Sequence, residues 1–572
     1  MKKLFIPSVL LLFCLNIHAQ SPAWLWSKSM GSTTNDFAYS IAADGAGDIY
    51  TVGTFAGTVD FDPGPGVFNK TAIGSHDIYI LKLDASGNFL WANTIGGTNW
   101  DEALSVVLDL QGNIYITGDF SDIVDFDPGI GTFILTAAGG SDIFICKMDA
   151  SGNLIWAKRM GGTGDDSGTA TSLDGMGNIY TTGYFIGTVD MDPGTGVYNL
   201  TSSGSVFISK LDNAGNFIWA KAFGGLWGTG ANAMTVESST GDVYLTGSFV
   251  GTVDFDPSAA SLIYTSAGNE DLYISKFDSM GNLVWAKATG GPIDEAGYSI
   301  ALDATGNVYT TGDFSYATID FDPGAGVFNM TANGGDVFIT KYNSAGAFTW
   351  AKQFTGLSSN YASGYGLIVD PINGDLYTIG SFYGDVDFDP GVGNFTLISN
   401  NSSDVFVSKL DSAGNFAWVK AAGGTWDDEG HALAISPTGY IYVAGFFPSP
   451  TIMFGNNTLV NADNTGLTND IFIAKLSNVV TGIDNISRKE NISVYPNPSS
   501  GKFIIAMPAN SVITNIEILD MMGKLTPFSS AISQVNEMKQ INIKLKNSEE
   551  GIYIVRISTP LYTEIKRLVV VE

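Results

Sequence analysis

Apolar and polar residues alternate in short runs along most of this chain, from residue 24 to residue 477. A period of two, with β-branched and aromatic enrichment, predicts strands with one packed face. In residues 103–160 the pattern gives four: ALSVVLD, NIYITGDF, DIFICKMD and LIWAKRM. The first and last of the three links share a turn, DLQGN at 109–113 and DASGN at 149–153. Glycine supplies the positive φ there, and aspartate folds back on the backbone.

The same four-strand unit returns. WAK or a close variant recurs at Trp26, Trp91, Trp156, Trp219, Trp285, Trp350 and Trp418. A tyrosine after G-N/D-hydrophobic recurs at Tyr50, Tyr115, Tyr180, Tyr244, Tyr309, Tyr377 and Tyr442, and a lysine at Lys82, Lys147, Lys210, Lys276, Lys341, Lys409 and Lys475. Four antiparallel strands per unit, seven times over, predict an all-β fold, a seven-bladed β-propeller. The array begins with a lone fourth strand at residues 24–30 and ends at Lys475 without one. The N-terminal strand is therefore expected to complete the last blade, which removes the sheet edges a split unit would expose. The repeated tryptophans are expected in the core.

The ends add an address. Lys2 and Lys3 before the apolar stretch 4–17 and His18-Ala19-Gln20 read as a signal peptide over residues 1–20. No other apolar run is long enough to span a membrane as a helix. Cys146 is then the single cysteine of the mature chain, so no intrachain disulfide is expected. Residues 21–477 hold 15 Lys+Arg against 48 Asp+Glu, a net charge of −33, whereas 478–572 hold 10 and 9, a net of +1. A surface so acidic repels nucleic acid and anionic membrane and favours cations, basic partners or plain solubility.

Strand alternation puts the second-to-third and fourth-to-first links at one end of the ring, and only tight turns at the other. The first kind of link carries VDFDPG or a variant, with the pairs Asp60/Asp62, Asp125/Asp127, Asp190/Asp192, Asp254/Asp256, Asp320/Asp322 and Asp387/Asp389; the seventh unit has TIMFGNN at 451–457 instead. Residues i and i+2 share a side, so each pair offers carboxylate oxygens together, with the residue between them facing the packing. Two roles fit: capping of turns, or ligation of calcium, the one candidate cofactor. The fourth-to-first links add Asp101, Glu102, Asp165, Asp166, Asp294, Glu295, Asp427, Asp428 and Glu429, and three tryptophans outside the repeat: Trp100, Trp227 and Trp426. Tryptophan beside carboxylates suits a sugar ring, although each tryptophan could equally pack under its own loop. His76 and His431 share no motif, and no catalytic triad, multi-histidine zinc site, P-loop or dinucleotide fingerprint is present, so an enzyme is not expected.

The words GNIYxTGxF … DxFIxKLDxxGNxxWAK resemble the SBBP-type β-propeller repeat of exported bacterial proteins, over about residues 24–477. Residues 478–490 lose the pattern and read as a linker. Beyond them, residues 491–572 alternate again between glycine turns and predict a small β-sandwich. Tyr495, Pro496, Asn497, Pro498 and Gly501, followed by Gly523, Gly551, Tyr553, Lys566 and Arg567, resemble the type A C-terminal sorting domain of the bacterial type IX secretion system. That resemblance implies a Bacteroidetes-type host, the secretion machinery as a partner, and release or attachment at the cell surface. The function expected is a surface binding or adhesion protein with a glycan or protein ligand at its loop-rich acidic end. A carbohydrate-active enzyme and a purely structural surface component are the alternatives.

Overall fold

The computed structural model describes residues 22–225, 228–356, 360–463, 465–477, 493–508, 515–520, 524–535, 538–546, 550–558 and 563–571. The expected signal peptide, the linker, Trp227 and Gly523 lie outside these. The chain divides into two compact units, Met1–Val479 and Val480–Glu572. Among the described residues every regular element is a strand.

In the larger unit each repeat forms an antiparallel meander. The second repeat shows the plan: Glu102–Leu108, Ile114–Asp125, Ile134–Met148 and Leu154–Gly162 pair in sequence order. In the seventh, Glu429–Ile435, Ile441–Phe447 and Asp470–Leu476 are completed by Trp24–Met30, with Trp26 opposite Lys475. First strands lie side by side from repeat to repeat, and the last of them, Glu429–Ile435, lies against Phe37–Ala43 of the first. The arrangement is all-β and propeller-like.

The three repeated words fall on one row. Tyr244 stands opposite Lys276, and Lys276 opposite Trp285. The same register holds for Tyr50, Lys82 and Trp91 and in every other repeat. Each lysine ammonium sits over the tyrosine ring, 4.6 Å away at Lys210 and 5.2 Å at Lys409. A contact of this kind contributes about 0.5–2 kcal/mol. Most of these lysines also meet an aspartate at the first-to-second turn, as Lys276 does Asp242 at 2.9 Å and Lys82 does Asp48 at 3.2 Å. The tryptophans differ from expectation. Trp285 and Trp418 are buried, but Trp26, Trp91, Trp156, Trp219 and Trp350 are half-buried. They sit at the seams, where the turn glycine of the next repeat lies on the indole. A Cβ added at Gly281 would be 2.9 Å from Trp219, and one at Gly346 would be 2.8 Å from Trp285. Glycine in D-x-x-G-N therefore provides both a positive φ and a flat surface for the neighbouring ring.

Every first strand carries a β-bulge, and the bulged residue varies: Tyr39, Leu104, Thr169, Asn232, Tyr298, Tyr365 and His431. The bulge presses the strand onto the glycine of the T-G-x-F word. At Gly118 an added Cβ would lie 1.9 Å from the Glu102 carbonyl oxygen, and at Gly380 1.8 Å from that of Ser363. The repeated glycine is thus required by backbone approach. Bulges re-aim side chains, and these bring unlike residues together where the first strands converge.

In the smaller unit Ser493–Tyr495, Lys502–Pro508, Met538–Leu545 and Phe528–Val535 form one sheet, and Asn515–Asp520, Gly551–Ser558 and Thr563–Val570 another. The two share one core that includes Phe503, Ile505, Ile541, Tyr553, Val555 and Leu568. Of the expected sorting residues, Asn497 ties its loop to the last strand: its side chain donates to the Arg567 carbonyl at 2.7 Å and accepts from the Val569 N–H at 2.8 Å. Gly501 takes a positive φ, Tyr495 is exposed, Tyr553 is buried, and Pro496, Pro498, Gly551 and Lys566 lie on the same loop and strands.

Candidate functional site

The second-to-third links are hairpins in all seven repeats. In the first repeat Thr58–Asp60 pairs with Asn69–Thr71, and in the seventh Thr451–Phe454 pairs with Asn457–Val460. The residue between each aspartate pair packs inward as expected: Phe61, Phe126, Met191, Phe255, Phe321 and Phe388 are all fully buried. The aspartates act on their own hairpins. Asp60 Oδ1 accepts the N–H groups of Asp62 (3.1 Å) and Phe68 (2.7 Å), and Asp62 Oδ1 accepts that of Gly64 (2.8 Å). Asp125 and Asp127 repeat this on Phe133 and Gly129, and Asp190 and Asp192 on Tyr198 and Gly194. Asp254 and Asp256 do so on Leu262 and Ser258, Asp320 and Asp322 on Phe328 and Gly324, and Asp387 and Asp389 on Phe395 and Gly391. Among the described residues no group of three or more His, Cys, Asp or Glu side chains converges as a metal site.

The fourth-to-first links hold a surprise for the acidic end. Asp101, Asp166, Glu295 and Asp428, expected on the surface, are buried to 1% or less. Their carboxyls staple loops together. Asp101 accepts from the Gly97 N–H at 2.7 Å and the Ser121 N–H at 2.9 Å, and Asp166 from those of Gly162 and Ile186, both at 2.9 Å. Asp36 does the same with Ser32 and Ala56. Burial pushes Asp101 and Asp166 up to about 6 and Asp36 up to about 7. The exposed acids are Asp165, Asp294 and Asp427, with Glu102 and Glu429 half-buried.

Over the second repeat the links on its two sides border an open cleft of about 360 Å³, lined by Asn99, Trp100, Asp119, Asp122, Ser141 and Asp165 among others. Trp100 is 39% exposed. One side of its indole lies against the His76 imidazole, with ring centroids 3.8 Å apart, and its N–H donates to Glu102 Oε2 at 3.1 Å. The ring is thus held as a fixed platform. Asp119 is 8% exposed and accepts from the Ser167 hydroxyl at 2.6 Å; burial, reinforced by Glu102 opposite it, pushes its carboxyl up to about 7. Trp426 is 49% exposed and packs on Gly466, away from this cleft's lining. Of the two singled-out tryptophans among the described residues, Trp100 lines the cleft and Trp426 does not.

Asp119, Ser167 and the bulged residues were not foreseen. Their signal was present: they are the positions where the repeat changes chemistry, as in T-G-D-F at Asp119 against T-G-S-F at Ser248. Around the converging strands Tyr298, Tyr365, His431, Phe446, Phe37 and Tyr39 form a continuous chain of ring contacts, from 4.7 Å at His431–Phe446 to 5.9 Å at Phe37–Tyr39.

Residues 493–571 match the family described as the secretion system C-terminal sorting domain. The chain is accordingly addressed for export by type IX secretion to the cell surface. The chain is similar to the uncharacterized WD repeat-containing protein L264 of Acanthamoeba polyphaga mimivirus, at 24% identity over 513 aligned residues, covering 76% of this chain and 37% of that protein. It is also similar to the regulatory protein FlaEY of Caulobacter vibrioides, at 26% identity, covering 30% of this chain and 18% of that one. The chain thus spans well under half the length of either relative. Among solved structures, Sqt1 of Chaetomium thermophilum matches with a TM-score of 0.33 and 11% identity, covering 76% of this chain and 84% of that one. The GH74 enzyme of Niastella koreensis matches at 0.22 and 10%, covering 93% and 84%.

Proposed function

We propose that the larger unit is a closed seven-bladed β-propeller of the SBBP-repeat type, carried to the surface by a β-sandwich sorting domain, and that it binds a glycan through the Trp100 cleft. The observation that carries the reading is the platform itself. An exposed indole is backed by His76, fixed by Glu102 and bordered by Asp119, Asp122 and Asp165. Aromatic faces stack on the apolar side of a sugar ring while carboxylates accept its hydroxyls. The absence of lysine and arginine from the lining favours neutral over acidic glycans. In this reading the six VDFDPG aspartate pairs shape hairpins rather than hold calcium, because the first aspartate's Oδ1 already accepts two N–H groups. Glycan-array binding by the mature chain is expected to fall at least tenfold with Trp100→Ala and to persist with Trp426→Ala. Equal binding by wild type and Trp100→Ala would remove the cleft from the account.

A further inference from the structure

A second exposed aromatic ring stands beside the Trp100 cleft, on the third repeat. Asp119 lines the cleft, and its Oδ1 accepts from the Ser167 hydroxyl of the third repeat at 2.6 Å. Ser167 is directly opposite Tyr184 where Ser167–Leu173 pairs with Ile179–Asp190. Opposite residues of an antiparallel pair are neighbours, about 4.5–5.5 Å apart at Cα. Tyr184 is therefore one cross-strand step from the residue that holds Asp119. Burial raises its phenol above the usual range, and the charges of Asp119, Asp165 and Glu102 raise it further. It stays a neutral hydroxyl at physiological pH.

Tyr184 fills the variable position before the phenylalanine of T-G-x-F. In the other repeats that position is covered to a greater degree. Thr54, Asp119 and Ser381 are buried, Ser248 and Asp313 are half-buried, and Phe446 lies against both the Phe37 and His431 rings, at 4.9 and 4.7 Å. Tyr184 is 40% exposed, and among the described residues no other ring lies against it. A phenol ring with an apolar body and a polar tip, left open where its equivalents are covered, is suited to contact a ligand.

Trp100 reaches the same carboxyl from within the second repeat. Its N–H donates to Glu102, and Glu102 is opposite Asp119. The row across the two repeats thus runs Trp100, Glu102, Asp119, Ser167, Tyr184, with an exposed ring at each end and a carboxyl in the middle. Asp119 Oδ2 has no protein donor among the described residues and is left to a ligand hydroxyl. Two cross-strand steps and the Asp119–Ser167 contact separate the rings, so one pyranose covers one platform and a chain of sugars covers both. The cleft of about 360 Å³ is at the small end of ligand pockets, which run from about 300 to 1,000 Å³. A longer ligand leaves it over the adjoining surface. Given glycan binding at Trp100, on which this rests, we propose that the site takes a linear neutral oligosaccharide rather than a single sugar. One sugar stacks on Trp100 and a later one on Tyr184, with Asp119 bonding hydroxyls between them.

The test uses the mature full-length chain and ladders of cello-, manno- and laminari-oligosaccharides from one to six sugars. Ligand-observed NMR reads the short members and calorimetry the long ones. In at least one ladder, affinity is expected to rise at least tenfold between one sugar and four. Tyr184→Ala should remove at least fivefold from the tetrasaccharide and leave the monosaccharide within twofold of wild type. Tyr184→Phe, which keeps the stacking face, should bind the tetrasaccharide within about twofold of wild type. Trp100→Ala should weaken every length. Affinity independent of length, or a tetrasaccharide affinity unmoved by Tyr184→Ala, would overturn the second platform while the Trp100 cleft stands. Equal losses at every length in Tyr184→Ala would overturn it too, because both rings would then hold one sugar. No binding by wild type in any ladder, or binding untouched by Trp100→Ala, would remove the cleft reading and the extension with it.

Discussion

Deletion of residues 22–31 is expected to abolish the single cooperative melt of the larger unit. These residues are the fourth strand of the seventh repeat, paired along Asp470–Leu476 from Trp24↔Leu476 to Met30↔Ile471. Without them that third strand becomes an open edge, ready to pair with other chains. The same deletion removes Met30 from the first repeat's core and the Trp24 edge contact with Phe454, 4.9 Å between ring centroids. Trp26 would also be lost from beneath the Gly87 turn. Calorimetry and light scattering should show a broad, early transition with association. A melt within a few degrees of wild type would mean that the first strand is dispensable.

Gly118→Ala is expected to cost about 3–5 kcal/mol, at the severe end for single substitutions. The added methyl would sit 1.9 Å from the Glu102 carbonyl oxygen and 2.9 Å from its carbon. Neither can retreat, because Glu102 and Gly118 belong to adjoining strands of one sheet and the Leu104 bulge sets their approach. Gly45→Ala is the matched control. Nothing lies within 4 Å of its added Cβ, so it should change stability by less than about 0.5 kcal/mol. Denaturant melts of the two variants check the difference, and similar midpoints would show that the bulge does not hold the glycine.

The strand order was legible because one short unit is written seven times. Tyr50, Lys82 and Trp91 are far apart in sequence, yet their shared periodicity foretells the row they form. The pairing of the first strand with the last repeat was legible for the same reason, since a fourth strand without its repeat at one end answers a repeat without its fourth strand at the other. Burial of the acids was not legible. Asp101 and Asp166, four positions after Gly97 and Gly162, turn inward to backbone donors, while Asp165, one position earlier, stays exposed. Alternation in a loop does not encode that choice; backbone donors do. The bulges escaped notice because one extra residue in a strand leaves the apolar pattern of its neighbours almost unchanged. Trp100 was singled out by composition, but its platform depends on His76, 24 positions earlier and in another repeat.

Closure of the ring by the first strand is the claim on which the rest stands. Ser27 and Ala474 are directly opposite in the antiparallel pair. Cross-strand neighbours are about 4.5–5.5 Å apart at Cα, within the reach of a disulfide. The native Cys146 is buried and will not compete. Oxidised Ser27→Cys/Ala474→Cys should therefore run as a monomer with one internal cross-link, seen as faster migration on a non-reducing gel and a cross-linked peptide by mass spectrometry. Free thiols after oxidation, or cross-links only between chains, would contradict the account.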